Sequence, residues 1–281
     1  MLTAVKVAGK KLFGVFGLDV RKARAGEVPR ASMRGALRQL SAVGFRPQTI
    51  VDVGVAFQTE ELYQEFPESS VLLIEPLAEF EPFLKKICAE HKAQYVLAAA
   101  GASSGTATFN VHADQLDGSS LLKEVEGAAV DGIPRQVPVV TIDEVCAEKN
   151  AKGPYLVKLD VQGAELLVLS GAQRTLLETE VVILEATLFA TMIGGQQLYD
   201  LVAKMKEYGF VAYDIFGFLY RPLDNALAQT DMIFVRENGP FRATHIFATP
   251  EQRKTMAWKA DSRLTGVGQE SGSRRLKVNA E

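Results

Sequence analysis

The chain has 281 residues, 47% hydrophobic and 23% charged, which is typical of one large globular domain, alone or with extensions. No apolar run reaches the roughly 18 residues of a membrane-spanning helix, and lysines interrupt the N-terminal apolar stretch, which argues against a signal peptide. The two cysteines, Cys88 and Cys146, show neither metal-ligand spacing nor a disulfide framework, which favours a reducing, cytoplasmic setting.

Charge is distributed unevenly. Residues 1–46 carry ten basic and two acidic side chains and residues 241–281 carry eight and four, which leaves about −15 on residues 47–240. Such an acidic body argues against nucleic acid as the main ligand. The basic N-terminal arm could dock on the body, make a peripheral membrane contact that leaves the protein membrane-associated, or support a homodimer.

Three regions are predicted: a basic helical N-terminal extension (1–46), a cofactor-binding domain (47–240) and a C-terminal tail (241–281). The extension is predicted as a helix, a basic break over 21–34 and a second helix that ends at Gly44 before Pro47. The tail is expected to be largely disordered after about residue 266, where glycine, serine and charged residues dominate.

Strands and helices alternate between these ends. The pattern predicts strands over 50–53, 71–74, 95–99, 106–112, 136–140, 156–160 and 181–186, and helices over 59–66, 79–91, 142–149, 164–177 and 196–208. Residues 210–215 and 231–236 are predicted as an antiparallel edge hairpin joined by a long loop. The expected fold is therefore α/β, a mostly parallel sheet with helices on both faces.

Acidic residues stand where three predicted strands end: Asp52 before Gly54, Glu75 before Pro76, and Asp160 after Lys158. Ligands of open α/β sheets bind outside the carboxyl ends of the strands, and a carboxylate can accept from both hydroxyls of a ribose. The spacing therefore predicts a site for a cofactor that contains a nucleoside. Each acid could alternatively serve only to form a turn or to cap the following helix.

Five segments in order resemble the FkbM-type methyltransferases, over roughly residues 49–235. They are Asp52-Val-Gly54, Leu73-Ile-Glu75-Pro76, Val139-Val-Thr-Ile-Asp143, Lys158-Leu-Asp160-Val-Gln-Gly163-Ala-Glu165 and Gly171-Ala172. The fourth segment is the most specific. The resemblance implies a Rossmann-like O-methyltransferase that uses S-adenosyl-L-methionine and releases S-adenosyl-L-homocysteine, with a sugar, glycan or natural product as the acceptor.

The same resemblance implies roles for individual residues. The methionine part of the cofactor would lie at Asp52 and the turn of Gly54 and Val55. Glu75, with Pro76, would hold the ribose, Ala100 and Gly101 would flank the adenine, and Asp160 would lie near the sulfonium. One position departs from the family pattern, because Gln58 stands where members often have a second glycine.

A hydroxyl acceptor must lose its proton, and the candidate bases are Asp160, then Glu185, then His112. Asp160 with Glu185 could also hold a divalent metal, although no spacing requires one. The segment 117–120 could form a lid, and Arg221 and Asp224 could border the acceptor pocket.

Two alternatives remain open: a scaffold protein that has lost catalysis, suggested by Gln58, and an NAD enzyme, which the missing Gly-x-Gly-x-x-Gly argues against.

Overall fold

The structure is a computed structural model that describes residues 30–255. The chain divides into a unit that ends at Arg242 and a second unit that begins at Ala243. The helix predicted before residue 21 and the disordered tail predicted after residue 266 lie outside the described residues. The three-region division of the chain stays a prediction.

The described residues form ten strands. They are β1 (Thr49–Val53), β2 (Ser70–Glu75), β3 (Ala93–Leu97), β4 (Ala99–Ala100), β5 (Gly105–Val111), β6 (Ile133–Val140), β7 (Tyr155–Leu159), β8 (Thr179–Thr187), β9 (Phe210–Tyr220) and β10 (Leu227–Arg236).

The same part of the chain forms eight α-helices. They are α1 (Met33–Ala42), α2 (Glu60–Glu65), α3 (Glu81–Glu90), α4 (Ile142–Glu148), α5 (Glu165–Ser170), α6 (Gln173–Leu177), α7 (Leu198–Glu207) and, in the second unit, α8 (Pro250–Thr255). Among the residues that the structure describes, no helix has both the length and the hydropathy required to cross a bilayer.

The main sheet has seven strands in the order β3-β2-β1-β7-β8-β10-β9. The first five of these pair in parallel, whereas β10 is antiparallel to both β8 and β9. This is the predicted α/β architecture, a mostly parallel sheet with an antiparallel edge hairpin. The strand order reverses between β1 and β7, so a crevice opens at their carboxyl ends.

The sheet lies between two layers of helices. Every residue of β1 and β7 is buried, as expected for central parallel strands covered on both faces. Ile50 and Leu156 face a cluster that includes residues of α1, α2 and α3, whereas Val51 and Val157 face α4 to α7. Ala36, Leu37 and Leu40 of α1 belong to the first cluster, so the described part of the basic extension covers a sheet face.

A second sheet was not anticipated. The strand predicted over 95–99 is divided at Ala98 into β3, which pairs with β2, and β4, which pairs with β6. The strands predicted over 106–112 and 136–140 pair with each other as β5 and β6 and do not join the main sheet. Local alternation predicts a strand but does not specify its partner.

Two further predictions were wrong in their bounds. The single helix expected over 164–177 is two helices, α5 and α6, broken at Gly171. A side chain at Gly171 would overlap the carbonyl of Gly101, so the break allows two backbone segments to approach. The long loop expected between residues 215 and 231 is short, because β9 continues to Tyr220 and β10 begins at Leu227.

Candidate active site

A cleft of about 480 Å³ lies at the carboxyl ends of the central strands. It is lined by the turn after β1, the end of β2, the segments after β7 and the insert between β5 and β6. The structure brings most of the predicted site residues to this one cleft: Gly54, Val55, Glu75, Pro76, Ala100, Asp160 and Glu185.

The turn after β1 depends on Gly54. This residue has a φ of +72°, and a Cβ added to it would overlap the carbonyl oxygen of Asp160. Asp160 in turn donates its backbone N–H to the carbonyl oxygen of Val53 at 3.1 Å. The backbones that follow β1 and β7 therefore come into contact, and this close approach requires that position 54 carry no side chain.

Glu75 is held by backbone donors. Its Oε2 accepts from the N–H of Ala56 and its Oε1 from the N–H of Leu77, both at 3.0 Å. Burial raises the pKa of this carboxyl, and the two N–H groups oppose that rise. Each oxygen keeps a second lone pair, so a fixed carboxylate can accept a pair of hydroxyls from a ligand.

Asp52 lies beneath the cleft and does not line it. Its side chain is completely buried, with Tyr63 Oη 2.5 Å from Oδ2 and Lys158 Nζ 3.4 Å from Oδ1. Burial alone would lower the pKa of Lys158, but Asp52 and Asp160 more than reverse this and raise it. Direct contact of Asp52 with the cofactor stays a prediction; in the structure its partners are protein groups.

Asp160 stands at the rim with its side chain 36% exposed. Lys158 Nζ lies 3.3 Å from its Oδ2, and Gln162 Nε2 donates to its Oδ1 at 3.1 Å. The following turn is fixed by Glu165, whose Oε1 accepts from the N–H groups of Val161 and Gly163. Burial raises the pKa of Glu165 to about 7.

Glu185 is a buried residue near the end of β8 and lines the same cleft. Its Oε1 accepts a hydrogen bond from Gln229 Nε2, whereas its buried Oε2 has no hydrogen-bond partner. It is opposite Asp231 of β10 in the antiparallel register. Burial, with nearby carboxylates, raises the pKa of Glu185 well above its usual value and that of Asp231 to about 6.

The insert between β5 and β6 lies over the cleft. The segment 115–119, together with Leu121, lines it. Ser120 Oγ donates to the carbonyl oxygen of Gln162 at 2.9 Å, and Asn110 Nδ2 donates to the carbonyl oxygen of Leu122 at 2.8 Å. The insert is thus attached to the turn after Asp160; its opening and closing as a lid stay a prediction.

Several predicted residues do not reach the cleft. Gly101 packs against Val139 and Gly171, because its N–H donates to Val140 and fixes it at the edge of the second sheet. His112 lies beside Gly132 and is absent from the lining. Arg221 and Asp224 form an ion pair at 2.6 Å on the β9–β10 turn, also outside the lining.

Gln58 lines the cleft mouth, and its backbone needs no glycine. The left-handed residue after Gly54 is Ala56, with a φ of +47°, and position 58 is not among the positive-φ residues. A side chain is therefore accommodated without backbone strain. The contact of Gln58 with a cofactor stays a prediction.

Elsewhere, Glu60, Glu90 and His91 bring one potential metal ligand each within 4.8 Å of one another. This exposed to half-buried group lies on α2 and at the end of α3. Asp160 and Glu185, the pair considered for a metal from sequence, are not part of it.

Sequence reasoning missed four groups that complete the site: Tyr63, Gln162, Gln229 and Asp231. Gln162 lies in the most specific motif, and Asp231 begins a predicted strand, so the sequence marked both positions, although it did not show their roles in the site. Tyr63 and Gln229 carry no local signal, because only tertiary packing brings them to Asp52 and Glu185.

The residues present fit an S-adenosylmethionine-type ligand. Glu75 offers two fixed acceptors for a diol, the Gly54 turn lines the cleft at the strand ends, and the rim near Asp160 and Glu185 is acidic, which suits a cation. Such a fold and site define a Rossmann-like nucleotide-cofactor enzyme.

The sequence matches the Methyltransferase FkbM domain over residues 52–212, more than half of the chain. The protein belongs to this family and is an S-adenosylmethionine-dependent methyltransferase.

Three methyltransferases are among the solved structures to which this chain is similar. The precorrin-6y C5,15-methyltransferase of Geobacter metallireducens is 13% identical, with 72% of this chain and 86% of that chain covered and a TM-score of 0.38. The 1,6-didemethyltoxoflavin-N1-methyltransferase of Burkholderia thailandensis, with bound S-adenosylhomocysteine, is 11% identical, with 74% of this chain and 79% of that chain covered and a TM-score of 0.39. The magnesium protoporphyrin IX methyltransferase of Synechocystis, with bound S-adenosylmethionine, is 10% identical, with 72% of this chain and 76% of that chain covered and a TM-score of 0.39. No curated protein gave a significant match.

Proposed function

We propose that the protein transfers a methyl group from S-adenosylmethionine to a hydroxyl oxygen of a sugar, glycan or natural product. The observation that supports oxygen as the acceptor is Asp160, a partly exposed carboxylate fixed by Lys158 and Gln162 at the cleft rim. A hydroxyl is a weak nucleophile until its proton is removed, and a carboxylate at this place can accept that proton.

The chain's residues then have separate tasks. Glu75 binds the ribose, Gly54 leaves space for the cofactor, and Asp160 orients the acceptor hydroxyl and takes its proton. The cofactor, when bound, supplies an electrophilic methyl group on a sulfonium sulfur, which keeps the electron pair of the broken bond. Positioning of the acceptor oxygen in line with that bond supplies much of the rate enhancement.

Cofactor binding is tested by calorimetric titration with S-adenosylhomocysteine. Glu75→Ala should weaken binding by roughly 1–3 kcal/mol, because ribose hydroxyls lose a charged acceptor. Glu79→Ala is the matched control, since Glu79 lies nearby but pairs with Arg135 outside the cleft. Equal affinity in wild type and Glu75→Ala would contradict the assignment of the ribose site.

Acceptor chemistry is tested with isotopically labelled methyl donor and a panel of hydroxylated glycosides and aglycones. We expect label in products that behave as methyl ethers by mass spectrometry and survive mild base. Label found only in amines or base-labile esters would overturn O-methylation. Cofactor binding without turnover across the panel would favour the scaffold alternative suggested by Gln58.

A further inference from the structure

Glu185 differs from every other acid of the cleft in having one unpaired, buried oxygen. The residue is 8% exposed, its Oε1 accepts from Gln229, and its Oε2 has no hydrogen-bond partner. Because the residue lines the cleft, a turn of its carboxyl group would bring this oxygen, which protein atoms cover in the structure, to a ligand. A buried polar atom without a partner is costly unless a ligand or a change of protonation satisfies it.

The surroundings of Glu185 are crowded with carboxyl groups. Asp160 after β7, Glu165 of α5 and Asp231 of β10 all act on it electrostatically, and Lys158 is the cation that opposes them. That ammonium is already shared, at 3.4 Å from Asp52 and 3.3 Å from Asp160. Neighbouring carboxyls with too few cations cannot all ionise, so at least one retains its proton.

Asp160 and Glu185 differ in what stabilises a negative charge. Asp160 has an ammonium and an amide donor and is partly in water. Glu185 has one amide donor and almost no water, and burial raises its pKa. Two acids whose environments favour opposite protonation states are the usual arrangement of a base beside a proton donor.

We propose that Glu185 keeps its proton at neutral pH and turns Oε2–H toward the bound acceptor, as the hydrogen-bond donor beside the base Asp160. This rests on the O-methyl transfer proposed above. The acceptor oxygen gives its proton to Asp160 as its bond to the methyl carbon forms, and Glu185 retains its own proton throughout. Such a pair suits an uncharged acceptor with a second oxygen beside the reacting hydroxyl, such as a vicinal diol, and repels phosphates and carboxylates.

The protonation state is measured by carbon-13 NMR of protein labelled at the glutamate side-chain carboxyls. We expect the resonance lost in Glu185→Gln to stay that of a protonated carboxyl at neutral pH, where an ordinary glutamate is ionised. Glu165→Gln and Glu75→Gln identify the other displaced resonances, and Glu180→Gln on the same strand is the control. If Glu185→Gln does not fold, assignment through the backbone identifies the same resonance. Ionisation of that carboxyl below neutral pH would overturn the proposal.

A second test uses charge in the cofactor pocket and needs no acceptor. Sinefungin carries an amine, cationic at neutral pH, where S-adenosylhomocysteine carries an uncharged sulfur, so the ratio of their affinities reports the local negative charge. Asp160→Asn should lower the preference for sinefungin at least about threefold, whereas Glu185→Gln should change it less than about twofold. Equal losses in both variants would show that Glu185 is ionised and would overturn the proposal. Both readouts stand whether or not oxygen proves to be the methylated atom.

Discussion

Lys158 forms ion pairs with both Asp52 and Asp160, since its ammonium lies 3.4 Å from the buried carboxylate of Asp52 and 3.3 Å from the carboxylate of Asp160 at the cleft rim. Register explains this geometry, since Lys158 is the strand partner of Asp52 and stands two residues before Asp160 on the same face. Tyr63 adds a hydrogen bond to Asp52 from below. The orientation of Asp160 thus depends on Lys158 and, through Lys158, on the buried Asp52.

Lys158→Met should destabilise the protein by about 3–5 kcal/mol, because it leaves the buried charge of Asp52 without its ion partner. Urea unfolding measures this, and the double variant Lys158→Met/Asp52→Asn should recover part of the loss. The surface pair Lys92–Glu68 is the control; Lys92→Met should cost at most about 0.5 kcal/mol. Equal, small losses in the free energy of unfolding for Lys158→Met and Lys92→Met would contradict the stabilising role of the buried ion pair.

Gly54→Ala should destabilise the protein by more than about 2 kcal/mol and abolish measurable binding of S-adenosylhomocysteine. A methyl group there overlaps the carbonyl of Asp160, and φ is +72°. Gly44→Ala separates the two causes, since Gly44 has a φ of +97° but no atom within 4 Å of an added Cβ. The control should cost only about 1 kcal/mol. Similar melting temperatures for the two variants would refute the steric argument.

Asp160→Asn should bind S-adenosylhomocysteine within about threefold of wild type and lose a factor on the order of 10²–10⁴ in turnover, the range for a general base. The measurement is steady-state methyl transfer with the best acceptor from the panel. Asp114→Asn, on the exposed part of the insert, is the control and should turn over normally. A fully active Asp160→Asn would remove Asp160 as the base and make Glu185 the next candidate.

Stability should fall as pH rises from about 4.5 to about 7, because burial raises the pKa of Glu165 from 4.5 to about 7. In that interval the folded state binds more protons than the unfolded state, so raising the pH favours unfolding. The contribution of Glu165 is about 3 kcal/mol, fully present below pH 4.5 and lost above the folded pKa.

Glu165→Gln tests this, because the amide keeps an acceptor oxygen for Val161 and Gly163 but cannot ionise. Urea midpoints measured across the interval should vary less in the variant than in wild type. Glu185 and Asp231 have pKa shifts of the same sign and will leave some slope. Identical slopes in wild type and Glu165→Gln would exclude Glu165 as a cause.

Sequence alone determined the α/β class, the existence of nearly every central strand and the family. Hydrophobic runs in β1 and β7 have the length and polarity of covered parallel strands, and Thr141 caps α4, where its Oγ1 accepts from the N–H of Glu144 at 3.1 Å. These features are local, because a strand's hydrophobic pattern and a helix cap are set by neighbouring residues. The acidic strand ends Glu75 and Asp160 were visible for the same reason.

Tertiary structure alone decided which of those side chains share a cleft and what each can do there. Asp52 proved to be buried against Lys158 and Tyr63, and His112 lies away from the cleft. Glu185 gained Gln229 and Asp231 as neighbours from a strand that pairs antiparallel across the sheet. Burial and charge act through space, over contacts between distant parts of the chain, so no local pattern could predict the protonation of Glu185 or the partners that fix Asp160.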